Sequence, residues 1–390
     1  MKNNNQCYEI LLNYSCNASC IFCSQADYDR TKKASFDDIV KQIYKAKKEG
    51  YIKLGLSGGE PTIRDDLPQI IKTARKIGFS FIRIQTNGIL LENYEFAKKL
   101  VEAGLTFCKF SFTSHIPKIH NILVKREYAW EKAMKGLENM KKLKVRIGNN
   151  ILVNKCNILN IEKTVKFFLD KGVSNFVIIY PIYTGNMYIN RDIGVSLGKC
   201  KKHFLNLIEM MKKNGLSNEI LFLNVPPCFL DEYYQQAIGL SPFNTLVTSP
   251  DGRRIDLDEN ANEEKIKGKI CEKCMLYKIC KGVDRKYIEI FGWEDFMPLK
   301  SENDKKKKQK FSKEYLTDNE KCLIEILKRK NNIDTQTVLK IAKKIPLCQD
   351  CTDGNNVINA AAKLVNKKII QMEFIKGKYY FKLLKNQESI

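Results

Sequence analysis

The sequence predicts an α/β protein built on a parallel sheet, and three observations carry that prediction. Short apolar runs alternate with amphipathic stretches, each pair fills about 25 to 35 residues, and most of the amphipathic stretches end in glycine, the preferred helix stop. The strand runs are "YEILLNYS" (8–15), "YIKLGLS" (51–57), "FSFIRIQT" (79–86), "LTFCKFSFT" (105–113), "VRIGNNILV" (145–153) and "NFVIIYPIY" (175–183). They are rich in β-branched and aromatic residues, as strands buried on both faces require. Between them, "SFDDIVKQIYKAKKEG", "DDLPQIIKTARKIG", "NYEFAKKLVEAG", "YAWEKAMKGLENMKKL" and "NIEKTVKFFLDKG" carry apolar residues three and four apart, the helical period. Six such units fit a partial barrel, open on one side, or a doubly wound sheet. Either puts the functional loops at the carboxyl ends of the strands.

From about residue 190 the repeat stops. A helical run ("CKKHFLNLIEMMKKNG"), a strand run ("EILFLNV"), a turn-rich "SPDGRR" and a second group of cysteines predict a small annex over 191–300. "SENDKKKKQK" (301–310) has charge without apolar period and reads as a solvated linker. Residues 311–390 then form a separate module. "LTDNEKCLIEILKRKN", "DTQTVLKIAKK" and "NNVINAAAKLVNKK" predict three helices, and "IIQMEFIKGKYYFKLL" predicts two strands hinged near Lys376, Gly377 and Lys378. Three helices and a hairpin resemble a winged helix.

Composition narrows the function classes. The chain has 390 residues, 44% apolar and 28% charged, and no apolar run approaches the ~18 residues of a membrane span. No secretory signal is legible at the start, so a cytoplasmic location and no membrane partner are expected. Sixty-seven basic against 44 acidic side chains give a net charge of +23, a field that favours polyanions such as nucleic acid. Much of that excess is lysine spread along helix faces.

Fourteen cysteines in a chain of this length and location point to metal or redox chemistry. Cys7, Cys108, Cys156, Cys200 and Cys322 stand alone and read as small buried hydrophobes. "CNASCIFC" is different: Cys16, Cys20 and Cys23 offer three thiols where a closed zinc site wants four. Three thiolates on a [4Fe-4S] cluster leave one iron with an open coordination position.

That C-x3-C-x2-C spacing, with aromatic Phe22 before the third cysteine, resembles the radical S-adenosylmethionine (SAM) superfamily. "LSGGEPTIR" after the second strand resembles the family's glycine-rich motif, in which Gly58, Gly59 and Glu60 would receive the amino group of SAM. Thr86 and Asn87 in "IQTNG", Ser111 in "SFTSH" and Asn150 in the fifth strand stand like family residues that line the SAM and substrate pocket. The resemblance spans residues 8 to 185. It implies a partial (β/α)6 TIM-type barrel over 1–190, a SAM-binding [4Fe-4S] cluster, reductive cleavage of SAM to a 5′-deoxyadenosyl radical, and an electron donor such as flavodoxin or ferredoxin.

Cys271, Cys274 and Cys280 in "CEKCMLYKIC" match the first three positions of the motif in SPASM domains, annexes that carry auxiliary iron-sulfur clusters. The pattern then departs: its next cysteine position holds Asp284, and the next cysteine in the chain is Cys322. One auxiliary [4Fe-4S] cluster is therefore expected rather than two, with Cys228 as fourth ligand or with an open iron. A zinc site on the same four thiols is the alternative. Cys348 and Cys351 form a CxxC with no second pair nearby, and His115 and His120 flank the expected pocket loop. A peptide or protein substrate, gripped by the winged-helix-like tail, is the first reading. Nucleic-acid modification or regulation through that tail is the second, and a small-molecule enzyme the third.

Overall fold

Six strands stand where the apolar runs predict them: β1 (Cys7–Leu11), β2 (Lys53–Ser57), β3 (Phe81–Thr86), β4 (Phe107–Phe110), β5 (Arg146–Leu152) and β6 (Asn175–Ile179). Each pairs in parallel with the next. The computed structural model describes residues 7–240, 245–256, 265–299, 318–343, 345, 354–366, 369–375 and 377–384. They belong to two units, Met1–Lys300 and Ser301–Ile390. The run 175–183 stops as a strand at Ile179, just before Pro181, which has no N–H for a ladder.

The crossovers are α1 (Phe36–Lys48), α2 (Leu67–Ile77), α3 (Tyr94–Glu102), α4 (Pro117–Val124), α5 (Ala129–Lys142) and α6 (Ile161–Asp170). Their ends follow the sequence. Ser35 Oγ accepts from Asp38 N at 3.1 Å to open α1, Asn93 Oδ1 accepts from Phe96 N at 3.0 Å to open α3, and Gly78 closes α2 in the left-handed region. Such a cap is worth ~1 kcal/mol.

The sheet is wider than the repeat predicts. β7 (Ile220–Leu223) adds in parallel to β6, β8 (Thr245–Thr248) adds in parallel to the far side of β1, and β9 (Arg254–Asp256) runs antiparallel on β8. The region expected to form only an annex thus supplies strands to both edges of the sheet. The physical reason is that β1 and β6 would otherwise present open rows of N–H and C=O groups. Tyr8 and Thr248 share a buried hydrogen bond of 2.6 Å across the β1/β8 seam.

One side of the sheet carries a polar layer. Arg83 pairs with Glu9, Lys109 Nζ donates to Asn175 Oδ1 at 2.6 Å, and Arg146 pairs with Glu219 at 3.1 Å. Burial pushes the Lys109 amine down to about 7. The opposite side meets the helices through Tyr8, Phe110, Phe112, Phe168 and Phe176, all buried. Cys108 and Cys200 are buried as expected; Cys156 is exposed on the loop after β5, where nothing packs over it.

After β6 come α7 (Gly185–Ile189) and α8 (Leu197–Lys213). The annex proper is small: β10 (Lys265–Ile266) and β11 (Val283–Asp284) pair antiparallel and lead into α9 (Arg285–Phe291). It is fastened by Tyr287, buried against Tyr180 and Phe296, whose hydroxyl accepts from Leu197 N at 3.1 Å.

The second unit has α10 (Asp318–Arg329), β12 (Ile333–Asp334), α11 (Thr335–Ala342), α12 (Gly354–Asn366), β13 (Ile370–Ile375) and β14 (Lys378–Leu383). Its antiparallel sheet runs β12-β14-β13, and Ile326, Leu327, Val338, Ala361, Leu364 and Phe381 form its core. The three helices and the hairpin are as the sequence predicts; β12 is an addition. The linker 301–310, Cys348, Cys351 and Lys376 lie outside the described residues. Among the described residues, no helix is long and apolar enough to cross a membrane.

Candidate functional site

The carboxyl ends of β1 to β4 open onto a cavity of about 650 Å³. Cys16, Cys20 and Cys23 line it from the loop after β1, Gly58, Gly59 and Glu60 from β2, Thr86 and Asn87 from β3, and Ser111 from β4. Nine residues predicted from separate stretches of sequence therefore meet on one surface. Tyr14, Gln25 and Arg30 join them without having been predicted. Phe22 instead packs behind the loop, against Ile89, Val124 and Ala129. Asn150 sits on the polar side of the sheet, one residue past the Phe110↔Asn149 pair and so beside Ser111, with its Oδ1 buried and unbonded within the chain.

Two elements hold the cysteine loop. The end of α4 accepts from it, Ser19 N to Val124 O at 3.1 Å and Ile21 N to Leu123 O at 3.0 Å. The start of α7 grips the other side: Asn186 Nδ2 donates to Cys20 O at 2.8 Å, Asn190 Nδ2 to Ile21 O at 2.9 Å, and Asn186 N to Cys23 O at 3.0 Å. Sequence reasoning missed this clamp. Its one signal was the Asn pair four apart in "GNMYIN", which puts both amides on one helical face.

The glycines of "GGE" have a reason the sequence did not reveal. Gly59 N donates to Asn13 O at 2.7 Å and Glu60 N to Ser15 O at 2.9 Å, so the turn after β2 lies against the backbone leading into Cys16. A Cβ on Gly58 would meet the Asn13 carbonyl, and one on Gly59 the Ser15 carbonyl. Close approach to the cysteine loop, as well as to any ligand, demands glycine here.

Glu60 is buried, and its carboxylate meets four donors from the chain itself. Oε1 accepts from Thr62 N at 3.0 Å, Thr62 Oγ1 at 2.6 Å and Thr86 Oγ1 at 2.6 Å, and Oε2 accepts from Asn87 N at 2.7 Å. Burial raises its pKa against the pull of those bonds. These bonds tie the ends of β2 and β3 together, and Oε2 accepts only the one from Asn87 N.

Burial raises the Cys16 thiol to about 11 and Cys20 to about 12, and the neighbouring thiols add to the effect. Three half-buried thiols on one loop fit a cationic iron centre, which would stabilise their thiolates. The histidines do not reach this cavity. His120 is buried with Nδ1 at 3.0 Å from Thr113 Oγ1, and burial lowers its pKa to about 4; His115 Nδ1 lies 2.9 Å from Thr164 Oγ1.

The second thiol group also comes together. Cys228 joins Cys271, Cys274 and Cys280 around a cavity of about 480 Å³ walled by Pro226, Leu276, Trp293 and Phe296. Burial raises Cys228 to about 12, with Cys280, Cys274 and Cys271 contributing in that order. Cys280 Sγ accepts from Gly282 N at 3.3 Å. Asp284, which occupies the position of the missing cysteine, caps α9 by accepting from Lys286 N at 2.8 Å. Among the described residues, no three His, Cys, Asp or Glu side chains converge as ligands of a single metal ion would. A third cavity, about 580 Å³, shares Cys280 and Pro227 with this one and opens at the ends of β6 and β7 beside Asn224 and Lys265.

Residues 10–168 match the model of the Radical SAM superfamily. A probable GTP 3′,8-cyclase of Methanothermobacter thermautotrophicus is 40% identical over 114 residues, 29% of this chain and 37% of that protein. A second, from Sulfolobus acidocaldarius, is 30% identical over 213 residues, 53% of this chain and 66% of that protein. The chain thus spans between about a third and two thirds of the length of these relatives. Among solved structures, Streptococcus suis SuiB bound to the precursor peptide SuiA shares the fold at a TM-score of 0.58 and 15% identity, over 71% of each chain. The enzyme anSMEcpe with bound AdoMet does so at 0.54 and 19%, over 72% of this chain and 89% of that one.

Proposed function

This chain belongs to the radical SAM superfamily through residues 10–168, and on that premise we propose that it cleaves SAM reductively and modifies a peptide or protein. The observation that carries the peptide reading is the annex: four thiols around one cavity, on a chain whose fold matches that of SuiB with its precursor peptide over 71% of its length. When bound, a [4Fe-4S] cluster with SAM supplies the electron that breaks the sulfur–C5′ bond and yields a 5′-deoxyadenosyl radical. The chain's own part is to hold, orient and exclude.

Cys16, Cys20 and Cys23 would ligate that cluster. The carbonyls of Gly58 and Gly59, with Glu60 Oε2, would accept from the SAM ammonium, while Glu60 Oε1 is engaged with Thr62 and Thr86. Ser111 and Asn150 stand side by side on the polar face of the sheet and suit hydroxyl or amine groups of SAM or substrate. Cys228, Cys271, Cys274 and Cys280 would hold one auxiliary cluster with no open iron. The cavity beside Cys280 gives a substrate side chain room near the second centre. The helix–strand–helix–helix–strand–strand order of the second unit supports a winged-helix-like module for gripping a leader segment.

The curated relatives favour a second reading, a small heterocyclic substrate, because two of them are named as probable GTP 3′,8-cyclases. One experiment separates the two. The reconstituted protein, with SAM and reductant under anaerobic conditions, is given extract fractions from the source cell, and 5′-deoxyadenosine is counted. Stimulation that protease treatment abolishes supports the peptide reading. Stimulation that survives protease and follows the nucleotide fraction overturns it.

A further inference from the structure

The loop after β3 carries an amide aimed at a cysteine. Asn87 Nδ2 lies 3.9 Å from Cys16 Sγ and 2.7 Å from Asn17 Oδ1. The orientation of this carboxamide is fixed by its surroundings, because its Oδ1 accepts from Ile89 N at 3.0 Å and its backbone N–H is held by Glu60 Oε2 at 2.7 Å. The NH2 end therefore faces Cys16 and Asn17. Asn17, next to Cys16 in the loop, uses its oxygen on Asn87, with the Cys16 thiol 4.0 Å away, while its own Nδ2 is buried and has no acceptor within the chain. A buried donor without a partner costs about 1 to 3 kcal/mol.

We infer that Asn87, its amide held by Asn17 Oδ1, donates an N–H bond toward the Cys16 thiolate and so raises the reduction potential of the cluster that Cys16 holds. The inference rests on the reading of Cys16, Cys20 and Cys23 as cluster ligands. Adding an electron makes the sulfurs more negative, so donors directed at them stabilise the reduced state. Neither residue touches reacting atoms; both are positioning residues acting through Cys16. Glu60 belongs to the same device, since its carboxylate fixes the backbone from which Asn87 reaches. This gives "GGE" a second purpose beside cofactor contact: it aims an amide at the metal ligand.

The test is the one-electron midpoint of the reconstituted cluster, read by anaerobic EPR titration. The signal of the open-site cluster is picked out by its change on adding SAM. In Asn17→Ala and in Asn87→Ala the midpoint should fall, leaving about tenfold less reduced cluster at a fixed solution potential, a shift of ~59 mV for one electron. Iron content and the signal of the second cluster should not change, and Asn17→Gln should restore part of the shift. An unchanged midpoint in both alanine variants overturns the inference, and so does a loss of SAM affinity without a shift. If Asn87→Ala fails to hold iron, Asn17→Ala decides alone, because it leaves Asn87 in place and removes only the acceptor that holds its amide. If the wild-type protein itself holds no cluster on Cys16, Cys20 and Cys23, it is the proposed function that fails, and the iron assay shows that separately.

Discussion

The two cysteine centres are built on opposite plans. At the first, three thiols share an open cavity with Gly59, Thr86, Asn87 and Ser111, and the loop that carries them is gripped from outside by α4 and α7. At the second, four thiols sit among Pro226, Leu276, Trp293 and Phe296, and the loop is held by its own tight turns, Cys274 N to Cys271 O and Cys280 N to Leu276 O. One centre sets its thiols beside a polar wall; the other sets them among prolines and rings. Under the proposed function, chemistry on a bound molecule would belong to the first plan and passage of an electron to the second.

The comparison breaks most visibly if Cys20→Ala and Cys274→Ala behave alike. Cys20→Ala should bring 5′-deoxyadenosine formation to background, whereas Cys274→Ala should retain SAM cleavage and lose turnover of the natural substrate; liquid chromatography of the two products reads both. Metal analysis comes next. Wild type should hold about eight irons per chain, and the Cys271→Ala/Cys274→Ala variant about four. Zinc in place of the second four would end the auxiliary-cluster reading.

Smaller effects sharpen the contrast between outer and inner support. Asn186→Ala removes a side-chain bond of about 1 kcal/mol from the first loop. Iron should then pass to a chelator several-fold faster from the first centre and at an unchanged rate from the second. Trp293→Ala should do the reverse, speeding loss from the second centre. Its cost in urea unfolding should stay below the ~3 to 5 kcal/mol of a fully buried tryptophan, because part of the ring is exposed.

The first centre was more legible in the sequence than the second. Apolar period located all six core strands, and local motifs named nine residues that meet in the cavity. Contacts made by ordinary residues from distant stretches were not legible. Asn186 and Asn190 look like a polar helix start, and nothing in "TLVT" announces that it pairs with β1 rather than with a neighbour in the annex. Glu60 shows the other limit, since a motif gives the residue but not the donors that occupy it. Cys228 was one candidate for the fourth thiol, and the structure brings it to the cavity of the other three, though Pro226 and Pro227 are the only local hint of a fixed turn.

The seam between β1 and β8 sets an order of events during synthesis. β1 leads directly into the cysteine loop, yet its outer edge is covered only by Thr245–Thr248, made far later. At ~5 to 20 residues per second, a ribosome needs about 10 to 50 s to pass from one to the other. For that interval the nascent chain presents three thiols on a loop whose supporting strand is bare on one side. Delivery of iron and sulfide therefore has a natural window after translation of residue 248, when the strand below the ligands has acquired both neighbours.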